Sequence, residues 1–388
     1  MISLLAAWFI PARNDVSNPE VRRAYGVLCG AVGIFLNLLL FLGKFFAGLL
    51  THSIAMTADA FNNLSDAGSS LVTLFGFRLA GQKPDPDHPF GHGRAEYLSG
   101  LIVSLLILLM GFELLKSSVG KILSPAPITF NTTAITILAV SIAVKFYMFL
   151  YNRNVGKKIS SAAMRATGLD SLSDMIATLV VLACAIVSHL TALNLDGWCG
   201  VLVSLFIFYA GIRAAKETVD PLLGKAPDPE LVKQIGELVM SNEVVIGMHD
   251  LIIHDYGPGR MMLSLHVEVP ANQDFATVHD LIDNIEHELS EKLSCEATIH
   301  MDPVATDDAF TVELKRKIEL LVSAVEPGLT IHDFRAVTGP THTNLIFDVV
   351  VPFRCPHPDC EIKSRIETAV QALDPTYFTV IKIDKPYL

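Results

Sequence analysis

Asn62 and Asp66 are four residues apart, and so are Asp170 and Asp174. On a helix that spacing puts both members of a pair on one face. If the two faces meet, four oxygen-bearing side chains converge on a cation site. The set holds no nitrogen or sulfur ligand, so it suits hard ions such as Mn²⁺, Mg²⁺ or Ca²⁺ better than Zn²⁺. Three carboxylates in a medium of low dielectric repel one another and retain protons while the site is empty. An arriving metal then expels those protons, which is a physical route to metal–proton exchange.

The elements that must position these residues are long apolar runs. They lie at about 26–50, 53–77, 96–120, 130–151, 162–188 and 197–219. Each is near the roughly 20 residues that span a bilayer as a helix. Asn62, Asn63 and Asp66 fall in the second run, and Asp170 and Asp174 in the fifth. A carboxylate at mid-membrane costs roughly 2.5–3.5 kcal/mol or more. Polar glue between helices accounts for one Asn or Ser but poorly for three Asp. Lys44, at the end of the first run, is expected to snorkel to an interface.

Composition agrees with a membrane protein. Of the 388 residues, 51% are hydrophobic and only 18% charged, against about 25% charged in a typical soluble protein. The net charge is −11 and no basic stripe is present, which argues against nucleic acid as a partner. No Gly-rich phosphate loop, nucleophile elbow or catalytic triad is evident, so no enzyme activity and no cofactor are expected. The apolar start, Met1 to Pro11, lacks the marks of a cleaved leader. Six cysteines are expected to stay reduced. With six spans, both termini share one side, which collects Arg13, Arg22, Arg23, Lys83, Arg94, Arg153, Lys157, Lys158, Arg213 and Lys216. The opposite loops near 51 and 190 carry no Lys or Arg, with Lys116 and Lys121 near the end of the third run as the exception. Both termini are therefore expected in the cytoplasm and the chain in the plasma (inner) membrane.

After Gly224 the composition turns soluble. The patterns predict a helix at 228–241, strands at 247–257 and 260–270, an amphipathic helix at 274–293 and a strand at 296–302. Gly339-Pro340 follows Gly257-Pro258 by 82 residues, and Val351-Pro352 follows Val269-Pro270 by the same interval. Residues 308–388 thus read as a second αββαβ domain. The expected organisation is an N-terminal segment 1–24, a six-helix transmembrane α-helical domain 25–222, and two tandem α+β cytoplasmic domains, 227–304 and 308–388. Asp348 stands where His266 stood, so the second copy reads as a packing or regulatory module. Cys355, His357 and Cys360 form only a weak zinc-binding pattern.

Three stretches carry a resemblance. Ala58-Asp59-Ala60-Phe61-Asn62-Asn63-Leu64-Ser65-Asp66 resembles helix 2 of the cation diffusion facilitators. His88-Pro89-Phe90-Gly91-His92-Gly93-Arg94-Ala95-Glu96 is similar to that family's helix 2–3 loop, and Asp170-Ser171-Leu172-Ser173-Asp174 occupies its helix 5 metal pair. The resemblance implies a divalent-metal exporter that exchanges metal for protons and pairs two protomers into a homodimer. It implies a loop site at Asp85, His88 and His92. It also implies a cytoplasmic site at His249, His266, His279, His300 and Asp302. Zinc-transporting members usually carry His-x-x-x-Asp in helix 5, whereas the Asp-x-x-x-Asp form here resembles the manganese-exporting branch. Mn²⁺ is the favoured ion. A zinc or iron/cobalt exporter stays open, as does a membrane-anchored metal sensor, though sensing would not require buried charge.

Overall fold

In the computed structural model, residues 2–385 are described except 12, 17, 51–53, 125–131, 192–195, 305 and 307. The Lys- and Arg-free loops expected near 51 and 190 fall on or beside segments outside the described residues. The chain forms two compact units, residues 1–225 with 255–260, and residues 226–254 with 261–388.

The first unit is helical. A short helix α1 (Ile2–Phe9) precedes six long ones: α2 (Pro19–Leu50), α3 (Ile54–Ala80), α4 (Ala95–Leu123), α5 (Thr132–Lys158), α6 (Ala162–Thr191) and α7 (Asp196–Leu222). α2 begins inside the expected N-terminal segment. Among the described residues, five of the six are long and apolar enough to cross a membrane. α3 is of similar length, but Asn62, Asn63, Asp66, Ser69, Ser70 and Thr73 make it more polar. Its buried stripe comprises Ala60, Asn63, Asp66, Ala67, Ser70, Thr73 and Phe77, the 3–4 residue spacing of one helical face. α2 packs closely on it: a Cβ at Gly30 would meet the Leu74 Cβ at 2.8 Å. Small residues permit such backbone approach where apolar burial supplies no drive between helices.

In the second unit, α8 (Pro229–Met240), β1 (Gly247–Asp255), β2 (Met261–Pro270), α9 (Phe275–Leu293) and β3 (Cys295–Val304) are followed by α10 (Ala309–Val325), β4 (Thr330–Thr338), β5 (Thr343–Val350), α11 (Asp359–Leu373) and β6 (Tyr377–Asp384). Each half supplies one three-stranded sheet, β1-β2-β3 and β4-β5-β6. The last two strands of each run parallel. Local chemistry sets the helix starts. Asp228, Asp274 and Asp308 each accept backbone N–H groups of the first turn, satisfying donors that a helix start leaves unpaired. Val278, Ile282, Ile285 and Leu289 of α9 join one apolar core, and Ile362, Ile366 and Val370 of α11 the other. Asp250 and Asp333, each directly after a histidine, share a left-handed conformation with φ of 52° and 51°.

Candidate metal centre

Asp66 and Asp170 are buried, 6% and 4% exposed, and Asp174 is nearly so. Between α3 and α6 runs a polar seam. Thr73 and Thr167 are hydrogen-bonded at 2.7 Å, and Ser69, Ser70, Ser171 and Ser173 are buried along it. The carboxylates share a partner that the sequence reading missed. Lys145, thirteen residues from either end of α5, donates to Asp66 Oδ2 and to Asp174 Oδ2, both at 2.6 Å. Asp170 lies within reach of the same charges, and its Oδ1 is buried without a hydrogen bond. Lys44 is also buried rather than snorkelled, and its charge acts on Asp66. The signal for Lys145 was in the sequence, because an ionisable residue deep in an apolar run is a functional candidate by default.

Asn62 departs from expectation. It is exposed, whereas Asn63 is buried with Asp66. Spacings of three and four both place residues on one face, so periodicity alone could not choose between them. The buried stripe of α3 runs through Asn63.

The loop before α4 brings Asp85, His88 and His92 together, with one ligand atom of each within 4.8 Å of the others. Asp85 Oδ1 accepts the His88 and Asp87 backbone N–H groups at 2.7 and 3.1 Å, an Asx-type turn. The His88 hydrogen bond holds the Asp85 carboxyl below its ordinary range. Gly91, at φ +80°, turns the chain so that the His88 and His92 rings lie 4.5 Å apart.

Three of the five residues expected in the soluble region, His249, His266 and Asp302, form a second such group. Asp302 Oδ2 lies 2.9 Å from His266 Nδ1 and 3.3 Å from His249 Nε2. Its other oxygen is 3.4 Å from His300 Nε2. His249 sits at the centre with neither ring nitrogen hydrogen-bonded. Burial, and then the neighbouring His332, push its imidazole below the ordinary range, which keeps it neutral with a lone pair free for a metal. These donors fit a divalent cation of intermediate hardness. His279 is not brought in. It follows Val278, which faces the core, so it points off that face and sits 3.4 Å from Asp283. Cys355, His357 and Cys360 do not converge in any such group among the described residues. His357 instead lies 3.3 Å from Glu361, and none of the six cysteines forms a disulfide.

Residues 31–223 match the cation efflux transmembrane domain, and residues 227–304 match the cytoplasmic domain of cation efflux proteins. An uncharacterised transporter of Methanocaldococcus jannaschii is 31% identical over 269 residues, covering 69% of this chain and 95% of that protein. The cation-efflux pump FieF of Escherichia coli is 28% identical over 287 residues, covering 73% and 95%. Residues beyond 304 lie outside both domain matches.

Proposed function

The chain belongs to the cation efflux, or cation diffusion facilitator, family of membrane transporters, and from that premise we propose that it exports Mn²⁺ from the cytoplasm in exchange for protons. The observation that carries this reading is the cluster of buried Asp66 and Asp170 with partly buried Asp174, two of which, Asp66 and Asp174, hold Lys145. Their oxygens are hard donors, and no imidazole or thiol stands among them. The ammonium occupies the space between two of the three carboxylates, so a metal entering there displaces it. An ammonium left unpaired in a dry interior is costly. Metal entry therefore favours loss of a proton, from Lys145 or from a carboxylate, and metal release favours its return.

We further read α2 to α7 as six spans, both termini as cytoplasmic, the working unit as a homodimer, and residues 308–388 as a second copy of the αββαβ domain. Zinc is the second reading, favoured by the imidazoles of His249, His266 and His300. Proteoliposomes decide between them. Under a proton gradient the wild type is expected to take up Mn²⁺ in preference to Zn²⁺, and Asp170→His to shift towards Zn²⁺. A wild type that prefers Zn²⁺ would sink the ligand-hardness argument. Uptake indifferent to the gradient would remove the proton exchange.

The loop cluster reads as an entry site of low affinity. Asp85→Ala together with His88→Ala is expected to raise the metal KM about tenfold and leave the maximal rate unchanged. A fall in maximal rate at constant KM would instead give the loop a structural part.

A further inference from the structure

In the second copy, Asp348 stands in β5 where His266 stands in β2, and Asp384 ends β6 much as Asp302 sits near the end of β3. The first donor changes from imidazole to carboxylate, and the second stays a carboxylate. His332 of β4 joins them. It is 7% exposed, and neither of its ring nitrogens makes a hydrogen bond. Its Nε2 lies 3.7 Å from Asp384 Oδ2 and 3.8 Å from Asp250 Oδ1. Those distances are too long for hydrogen bonds. They are close to the roughly 3.4 Å that separates two ligands each about 2.1 Å from one tetrahedral ion. One ligand atom from each of His332, Asp348 and Asp384 lies within 4.8 Å of the others.

We propose that His332, Asp348 and Asp384 bind a divalent cation, with Asp250 of the first copy as a further ligand. One imidazole and three carboxylates suit Mn²⁺, Co²⁺ or Zn²⁺ rather than a thiol-seeking ion. The site adjoins the His249–His266–Asp302 cluster, because the His249 and His332 rings stack with centroids 4.2 Å apart. Ligands drawn from both copies make the ion a clasp between the two sheets. At present Lys382 Nζ stands 3.2 Å from Asp348 Oδ2 and 3.0 Å from Asp384 Oδ2. Its side chain is 64% exposed and long enough to swing into solvent when a metal arrives.

Ion counting on the purified full-length protein in detergent tests the site, by equilibrium dialysis against Zn²⁺ and by titration with Co²⁺ as a spectroscopic probe. The wild type is expected to bind one ion more per chain than the Asp348→Asn/Asp384→Asn double variant. His332→Gln is expected to lose the same ion, and Lys382→Gln to hold it about tenfold or more tightly. The asparagines preserve volume, and an unchanged metal-free unfolding temperature shows that the fold is intact. Equal ion counts and equal affinities in wild type, double variant and His332→Gln would overturn the proposal. So would a count lowered by His266→Asn but not by the double variant. The count requires no flux, so it stands or falls separately from the transport reading.

Discussion

Asp66→Asn is expected to bring Mn²⁺ flux in proteoliposomes down to the level of protein-free vesicles. Asparagine keeps the shape and one oxygen but removes a full negative charge from a buried site. It also leaves Lys145 with Asp174 as its one hydrogen-bonded carboxylate, where it now has two at 2.6 Å. Removing one member of a buried charged set costs about 3–5 kcal/mol. At about 1.4 kcal/mol per tenfold, metal affinity should fall by roughly a hundredfold or more. Binding at the soluble-region clusters should be untouched, because none of their ligands belongs to this helix. Flux within a few-fold of wild type would remove Asp66 from the transport path and with it the central claim.

Lys145→Met carries the second large effect, and its sign depends on whether metal is present. Methionine fills similar space without the charge. Without metal, three carboxylates lose the ammonium that joins two of them, and about 3–5 kcal/mol of stability should go with it. Mn²⁺ should then stabilise the variant more than the wild type, since no resident cation has to be displaced. A ligand at a hundred times its Kd adds about 2.7 kcal/mol, enough to recover much of the loss. Transport should nonetheless slow, because the returning ammonium no longer helps the ion leave. Unfolding temperatures with and without Mn²⁺ read this directly. A variant as stable as wild type without metal, and no more responsive to it, would make Lys145 a bystander.

Much of the architecture was legible without coordinates. Apolar runs pointed to the long helices, and five of these are long and apolar enough to cross a membrane among the described residues. The rare carboxylates within those runs stood out against that apolar background. The 82-residue echo pointed to a further set of strands after residue 308, and the chain there does form a separate three-stranded sheet. The loop trio came from the resemblance rather than from spacing, and a local turn does gather Asp85, His88 and His92.

What tertiary structure alone decided is which faces meet. Lys145 reaches Asp66 across 79 residues of chain, and nothing in the local pattern of either helix records that pairing. Asn63 rather than Asn62 is buried with Asp66, a choice to which helical spacing is blind. His279 stayed apart because the core claimed the adjacent Val278 and fixed the orientation of α9. The local pattern around His332 does not record its neighbour, yet the packing of one sheet beside the other stacks its ring on that of His249. Sequence periodicity determines which residues form an element and which side of it is apolar. The approach and rotation of packed elements are set by side-chain volumes summed over contacts distant in the chain, and those settle which polar groups share a site.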